Sequence, residues 1–298
     1  MKRLFFLSYW LLTQTLAYSQ QIPDTTFIPT IEKRSYATKI YVDEAHGNFH
    51  TINNRFLPFA TILRKAGYTV KRFQNTFSES SLKELKVLVI SNALPQTSRP
   101  PFVVPTQSAF TKKEIESIHN WVANGGSLFL IADHMPFAGA SEQLATAFGF
   151  KFYDSFLFTK DRRGIIDFSK ENKMLSTAKL ASDNAPHKHI NLVRTFTGQA
   201  FKAPSKATSI LKANEDLIVH LPDTMWRFSE KTKRFSAKDL SQGAIMNYKK
   251  GKIAFFGEAA MFTAQLAGPN RIKVGMNAKE AVDNYKLLLN IMHWLQSK

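Results

Sequence analysis

The chain predicts an α/β fold built on a doubly wound, mostly parallel sheet, and three observations predict it. Four short apolar runs, at residues 40–42, 87–90, 128–132 and 253–257, read as strands buried on both faces. Helical periodicity separates the first three, an alternation that right-handed crossovers close into one sheet. Each run also stops on a polar cluster: Asp43-Glu44-Ala45-His46, Ser91-Asn92, Asp133-His134 and Glu258. Open α/β sheets bind ligands outside the carboxyl ends of their strands, so the pattern marks a place for chemistry as well as a fold.

Taken in order, Lys2 and Arg3 precede an apolar stretch over residues 4–16 and then Ala17-Tyr18-Ser19, which predicts a signal peptide cut after Ser19. No stretch approaches the roughly 20 apolar residues of a membrane helix. The mature chain is expected to be exported, periplasmic or extracellular, without a transmembrane segment. Residues 20–37, with Pro23 and Pro29, read as an extended leader, and residues 38–298 as a single domain with an insertion at about 151–240.

Phe56, Phe59, Ala60 and Leu63 fall at i, i+3, i+4 and i+7, and Gly67 sits where such a helix would stop. Residues 68–73 alternate as an edge strand, a short helix follows at 81–85, and the proline-rich stretch 95–105 is a loop placed to wall a site. Thr111 and Glu114 form a capping box ahead of the apolar stripe Ile115, Ile118 and Val122, which Asn124-Gly125-Gly126 ends. A further helix is expected over 141–148. In the insertion only 208–211 and 217–220 look like strands. Residues 244–248 and 252–256 flank Lys249-Lys250-Gly251 as an antiparallel hairpin added to the sheet. Ala281, Tyr285, Leu288, Leu289, Met292 and Leu295 line one face of a C-terminal helix, with Asn277 as its expected N-cap.

Composition narrows the function. The chain has no cysteine, which excludes a disulfide framework, a lipid-modified cysteine and a thiol nucleophile. Its 40 basic and 23 acidic residues give a formal charge of +17, an excess that favours anionic partners such as envelope glycans, lipid head groups or acidic substrates. Lysines that merely keep the surface solvated are the plainer reading. Residues 151–252 hold 20 basic and 10 acidic residues, but no basic stripe interleaved with aromatics, so a nucleic-acid partner is not predicted.

If the four strands are neighbours, Asp43 or Glu44, Asn92, Asp133, His134 and Glu258 meet in one crevice. Like charges brought together keep a proton, pair with a cation or coordinate a metal. Asp133 is a candidate nucleophile or base, His134 a candidate base activating water, and Glu258 their acidic partner. Asp43, Glu44, His46, Asn48, Asn92 and Arg271 are candidate ligand contacts. His46, His50 and His134 are candidate ligands of a divalent metal such as zinc, and hydrogen bonding without a metal is the other reading. Structural roles stand beside these: Asp133 as a cap for the following helix, Glu258 in an ion pair with Arg271, and His50 as a turn residue. The H-x-H spacing of His187 and His189, near Asp183, is expected on a surface loop.

Several of these segments resemble a known family. Val42-Asp43-Glu44-Ala45-His46-Gly47-Asn48, Ser91-Asn92-Ala93-Leu94, Ser108-Ala109-Phe110-Thr111, Gly125-Gly126-Ser127-Leu128, Ile131 to Gly139 and Gly257 to Phe262 are similar to an uncharacterised bacterial family of exported proteins. That family is similar in turn to the class I glutamine amidotransferase-like, flavodoxin-like superfamily, with its related gliding-motility and intraflagellar-transport domains. The resemblance spans about residues 38–296 and is weakest over 151–240. It implies the fold, and it places the superfamily's nucleophile position at Asp133-His134. Without a cysteine the thiol mechanism is excluded, which raises a binding or scaffold role. The expectation is therefore hydrolysis or related acid-base chemistry on an envelope or glycan-derived small molecule. The alternative is a non-catalytic ligand-binding or scaffold module.

Overall fold

Residues 21–34 and 36–297 are described by a computed structural model. The expected signal peptide, residues 1–19, lies outside the described residues. In chain order the first half comprises β1 (Gln21–Pro23), β2 (Lys39–Asp43), α1 (Leu57–Ala66), β3 (Thr69–Phe73), α2 (Glu79–Leu82), β4 (Val87–Ser91), α3 (Lys112–Ala123), β5 (Ser127–Ile131) and α4 (Phe137–Ala147). The second half is mostly strand: β6 (Phe156–Thr159), β7 (Ile165–Ser169), β8 (Leu192–Phe196), β9 (Thr208–Lys212), β10 (Leu217–Leu221), β11 (Lys233–Ser236), β12 (Ser241–Tyr248), β13 (Gly251–Phe256), β14 (Ala264–Ala267), β15 (Ile272–Gly275) and finally α5 (Asn284–Gln296).

Seven strands make the central sheet in the order β3-β2-β4-β5-β13-β12-β9. The first five pair in parallel, so by position in the chain they run 2-1-3-4-5, the order of a flavodoxin-like sheet. β12 and β9 extend it antiparallel, and the expected hairpin is β12 with β13. Alternation along β5 explains the double winding. Phe129 and Ile131 pack with α1 and α5 on one face, whereas Leu128 and Leu130 pack with α3 and α4 on the other. Each such side chain, fully buried, contributes about 1.5–3 kcal/mol relative to exposure.

Helix ends follow local chemistry. The Thr111 hydroxyl accepts the Glu114 N–H at 3.3 Å while the Glu114 carboxylate accepts the Thr111 N–H at 2.9 Å, the reciprocal box that starts α3. Gly67 ends α1 at φ 109, and a Cβ there would sit 1.6 Å from the Arg34 carbonyl oxygen.

Other expectations shift. Within the extended leader, β1 pairs with β14, which pairs with β15 in a separate three-stranded sheet. α4 begins at Phe137 rather than Ser141, because the small residues Ala138, Gly139 and Ala140 pack as its buried first turn. Asn277 caps nothing; its side-chain amide donates to Asp24 and to the Gln265 carbonyl, and Asp283 precedes α5. Residues 151–240 contribute β9 to the central sheet, the pair β7-β8 and a β6-β10-β11 sheet; β9 and β10 fall on the expected 208–211 and 217–220, whereas β6, β7, β8 and β11 are too short and too mixed to announce themselves in sequence.

Candidate functional site

The strand ends do not form one crevice. They form a closed cluster at β2 and β4 and a more open one at β5 and β13.

The order reverses between β2 and β4, where such sheets commonly hold a ligand. Here the chain's own His46 occupies that place. Its Nδ1 lies 3.0 Å from Asp43 Oδ1 and its Nε2 2.9 Å from Glu114 Oε1. Carboxylates only accept, so both ring nitrogens donate and the ring is an imidazolium. Burial alone depresses its pKa, but the hydrogen bonds and charges of Asp43 and then Glu114 outweigh that and raise it. Glu114 is lowered in return: burial raises it, and the His46 bond and the Thr111 bonds prevail. Phe77 stacks on the ring at 4.4 Å and Phe110 tilts against it at 5.2 Å. Asn48 completes the closure, its amide donating to Asp43 at 3.0 Å and its oxygen accepting the His46 N–H at 3.0 Å.

Asp133 follows β5, Glu258 follows β13, and these strands are parallel neighbours. Asn92, at φ 47 just past β4, turns its side-chain oxygen to accept the Asp133 N–H at 2.9 Å. Asp133 is 9% exposed and Glu258 is fully buried. Burial raises the Asp133 carboxyl, and the hydrogen bonds from the His134 and Ala259 N–H groups and Asn92 offset it only in part. Burial first, and the Asp133 charge second, push Glu258 well above the carboxylate range, so this acid keeps its proton. The Glu258 oxygens accept the Ala260 and Met261 N–H groups at 2.6 and 2.7 Å.

His134 is the partly exposed member. Its Nδ1 lies 2.6 Å from the Met135 carbonyl oxygen. A carbonyl can only accept, so Nδ1 carries a hydrogen, and the tautomer this contact selects has its lone pair on Nε2. No side chain or backbone group among the described residues hydrogen-bonds that Nε2. The ring stacks on Phe156 at 4.6 Å and meets Trp226, 50% exposed, edge-on at 4.8 Å. The proline-rich loop does wall this opening: the Val104 N–H donates to the Asp223 carbonyl and the Met225 N–H to the Phe102 carbonyl, tying it to the segment that carries Trp226.

Some expected contacts are overturned. Glu44 turns away, accepting the Ile52 N–H at 2.8 Å and pairing with Arg72. Arg271 is exposed in the turn between β14 and β15 and makes no ion pair with Glu258, whose carboxyl is held by backbone instead. His46, His50 and His134 are not a metal site. Both His46 nitrogens are committed, and His50 is buried against Phe56 with Nδ1 on the Ser91 hydroxyl, its pKa carried by burial and the nearby Arg55 down to about 3. Among the described residues no three His, Cys, Asp or Glu side chains are grouped to hold an ion. Glu114 was legible only as a capping residue. Trp226 and Phe156 lie in the weakly patterned insertion, and no spacing signalled them.

No family model matches the chain, and no curated protein matches it. Among solved structures, the mmIFT52 N-terminal domain aligns at TM-score 0.58 and 13% identity, over 87% of this chain and 98% of that one. The fold is flavodoxin-like. A putative ThuA-like protein from Bacteroides uniformis aligns at TM-score 0.45 and 12% identity, over 91% of this chain and 96% of that chain. A putative GMP synthase protein from Thermoplasma acidophilum aligns at TM-score 0.44 and 13% identity, over 87% of this chain and 94% of that chain. At such identities the likeness is one of fold, and fold does not carry function.

Proposed function

We propose that this is an exported, cysteine-free member of the glutamine amidotransferase-like superfamily that performs acid-base chemistry, most simply hydrolysis, on an envelope or glycan-derived small molecule. The observation that carries the reading is the Met135 carbonyl fixing the His134 tautomer, which leaves a neutral Nε2 free beside two buried carboxyls. Nε2 takes a proton from water or a substrate hydroxyl, and the adjacent Asp133 charge stabilises the imidazolium that forms. Glu258, protonated next to Asp133, keeps a second negative charge out of the pocket. Trp226, 50% exposed beside His134, supplies a flat apolar face on which a sugar ring packs. Export rests on the sequence of residues 1–19 and places the substrate in the periplasm or outside the cell.

The test is hydrolysis of model esters, amides and glycosides by wild type, Asp133→Asn and His134→Ala. The reading expects a loss of at least about 100-fold in His134→Ala. Activity surviving both changes rejects it. One observation favours the second reading, a ligand-binding or scaffold module: both Glu258 oxygens are already occupied by backbone N–H groups. Saturable binding without turnover by wild type would establish that role.

A further inference from the structure

A second feature lies on the β6-β10-β11 sheet, away from the strand ends. A groove of about 340 Å³ is lined by Lys160, Arg162, Ile218, His220 and Arg234, among others. Its register explains the lining: His220 of β10 is the cross-strand partner of Arg234 on β11, so the two side chains stand on one face. Lys160 is paired with Asp216, and the nearby Asp161 is paired with Arg163. Arg162 and Arg234 are exposed and have no acidic partner among the described residues. His220 is only 4% exposed, yet its ring makes no hydrogen bond among the described residues. Burial, then the charges of Arg162 and Arg234, lower its pKa, so it stays neutral between two guanidinium groups.

Such a groove suits an anion. Two unpaired guanidiniums, a half-neutralised lysine and an unpartnered buried imidazole offer donors and no negative charge of their own.

Packed rings also link the groove to His134 through the buried Phe156. His134 stacks on Phe156, Phe156 contacts Phe228 at 5.2 Å, Phe228 contacts Phe158 at 5.5 Å, and Phe158 meets His220 at 5.4 Å. Trp226 flanks the same track at 4.5 Å from Phe156. A line of packed rings therefore connects the proposed acid-base group to the basic groove, with Phe158 and Phe228 as its partly exposed members.

We propose that the Arg162–His220–Arg234 groove is an anion subsite for an acidic saccharide, which sets its carboxylate or phosphate on the guanidiniums and its neutral part over the partly exposed Phe158 and Phe228. The saccharide part rests on the function proposed above, whereas the anion subsite does not. The chain's basic excess over residues 151–252 then has a focus instead of being spread solvation.

Calorimetric titration of the full chain tests this with trigalacturonate, glucose 6-phosphate, neutral maltotriose and inorganic phosphate, on wild type and on Arg162→Ala/Arg234→Ala. Wild type is expected to bind trigalacturonate or glucose 6-phosphate, more weakly as salt rises, and maltotriose at least about tenfold less well. Which acidic probe binds tells carboxylate from phosphate. The double variant, altered only at exposed side chains, should melt like wild type and lose at least about tenfold in affinity, the scale of one charge-assisted hydrogen bond. Equal binding of maltotriose, unchanged affinity in the variant, inorganic phosphate matching the saccharides, or no binding of either acidic probe overturns the proposal. The two readings separate cleanly. Turnover surviving His134→Ala removes the acid-base role and leaves the groove standing, whereas unchanged affinity in the double variant removes the groove alone.

Discussion

Asp133 and Glu258 stand two residues beyond the paired positions Ile131 and Phe256 on adjacent parallel strands, and the Asp133 charge adds to burial in keeping Glu258 protonated. The folded protein thus holds protons that the unfolded chain releases above the ordinary glutamate value of 4.5. The stability this gives is complete below that value and declines as pH rises toward the folded pKa. Asp133→Asn removes the like charge, so its stability should decline less steeply with rising pH than that of wild type. Chemical denaturation across neutral and alkaline pH checks this, and parallel profiles would show that the two carboxyls do not interact.

The His46 cluster titrates as a structural unit. With its pKa raised above 6.5, His46 stabilises fully below that value and loses its contribution as pH climbs through the folded pKa. Glu114, lowered from 4.5, stabilises above that value and loses its contribution as pH falls through its folded pKa. His46→Gln should cost about 3 kcal/mol near neutrality by leaving Asp43 and Glu114 facing each other without the cation. The difference from wild type should shrink on the alkaline side. A difference independent of pH would mean that the ring is not charged.

His134, the proposed base, contributes little to the fold. Its ring is only half-buried and its one hydrogen bond is to the adjacent residue, so His134→Ala should shift stability by about 1 kcal/mol. Equilibrium unfolding beside the hydrolysis assay separates the roles: a variant that loses several kcal/mol marks His134 as structural.

Trp226 gives a surface control. Half of it is exposed beside His134, so Trp226→Ala should leave the melting temperature close to wild type and weaken ligand binding several-fold, the worth of one aromatic face at about 1 kcal/mol. Unchanged affinity for a ligand that wild type binds would place that ligand elsewhere.

The legible parts of the fold were those with local or periodic physics. The runs 87–90 and 128–132, the Thr111–Glu114 box and the Gly67 stop each follow from neighbours in sequence. β1, β6, β7, β8 and β11 were obscured because their pairing is long-range and their faces are mixed, whereas β9 and β10 were visible as 208–211 and 217–220. At the site, Asp133, His134 and Glu258 could be placed at strand ends, but two facts could not. Alternation alone does not say that Glu44 turns to Ile52 and Arg72, and only the folded chain brings Glu114, 68 residues on, to His46. The single crevice therefore divides, with the half between β2 and β4 filled by the protein's own imidazolium.

Nitrogen-15 NMR of the histidine rings tests the central claim without knowledge of the substrate. With the His134 signals assigned by their loss in His134→Ala, the neutral ring should show its hydrogen on Nδ1 and an unprotonated Nε2. A neutral ring protonated on Nε2 would contradict the account, because the lone pair would then face Met135 and no base would stand at the opening.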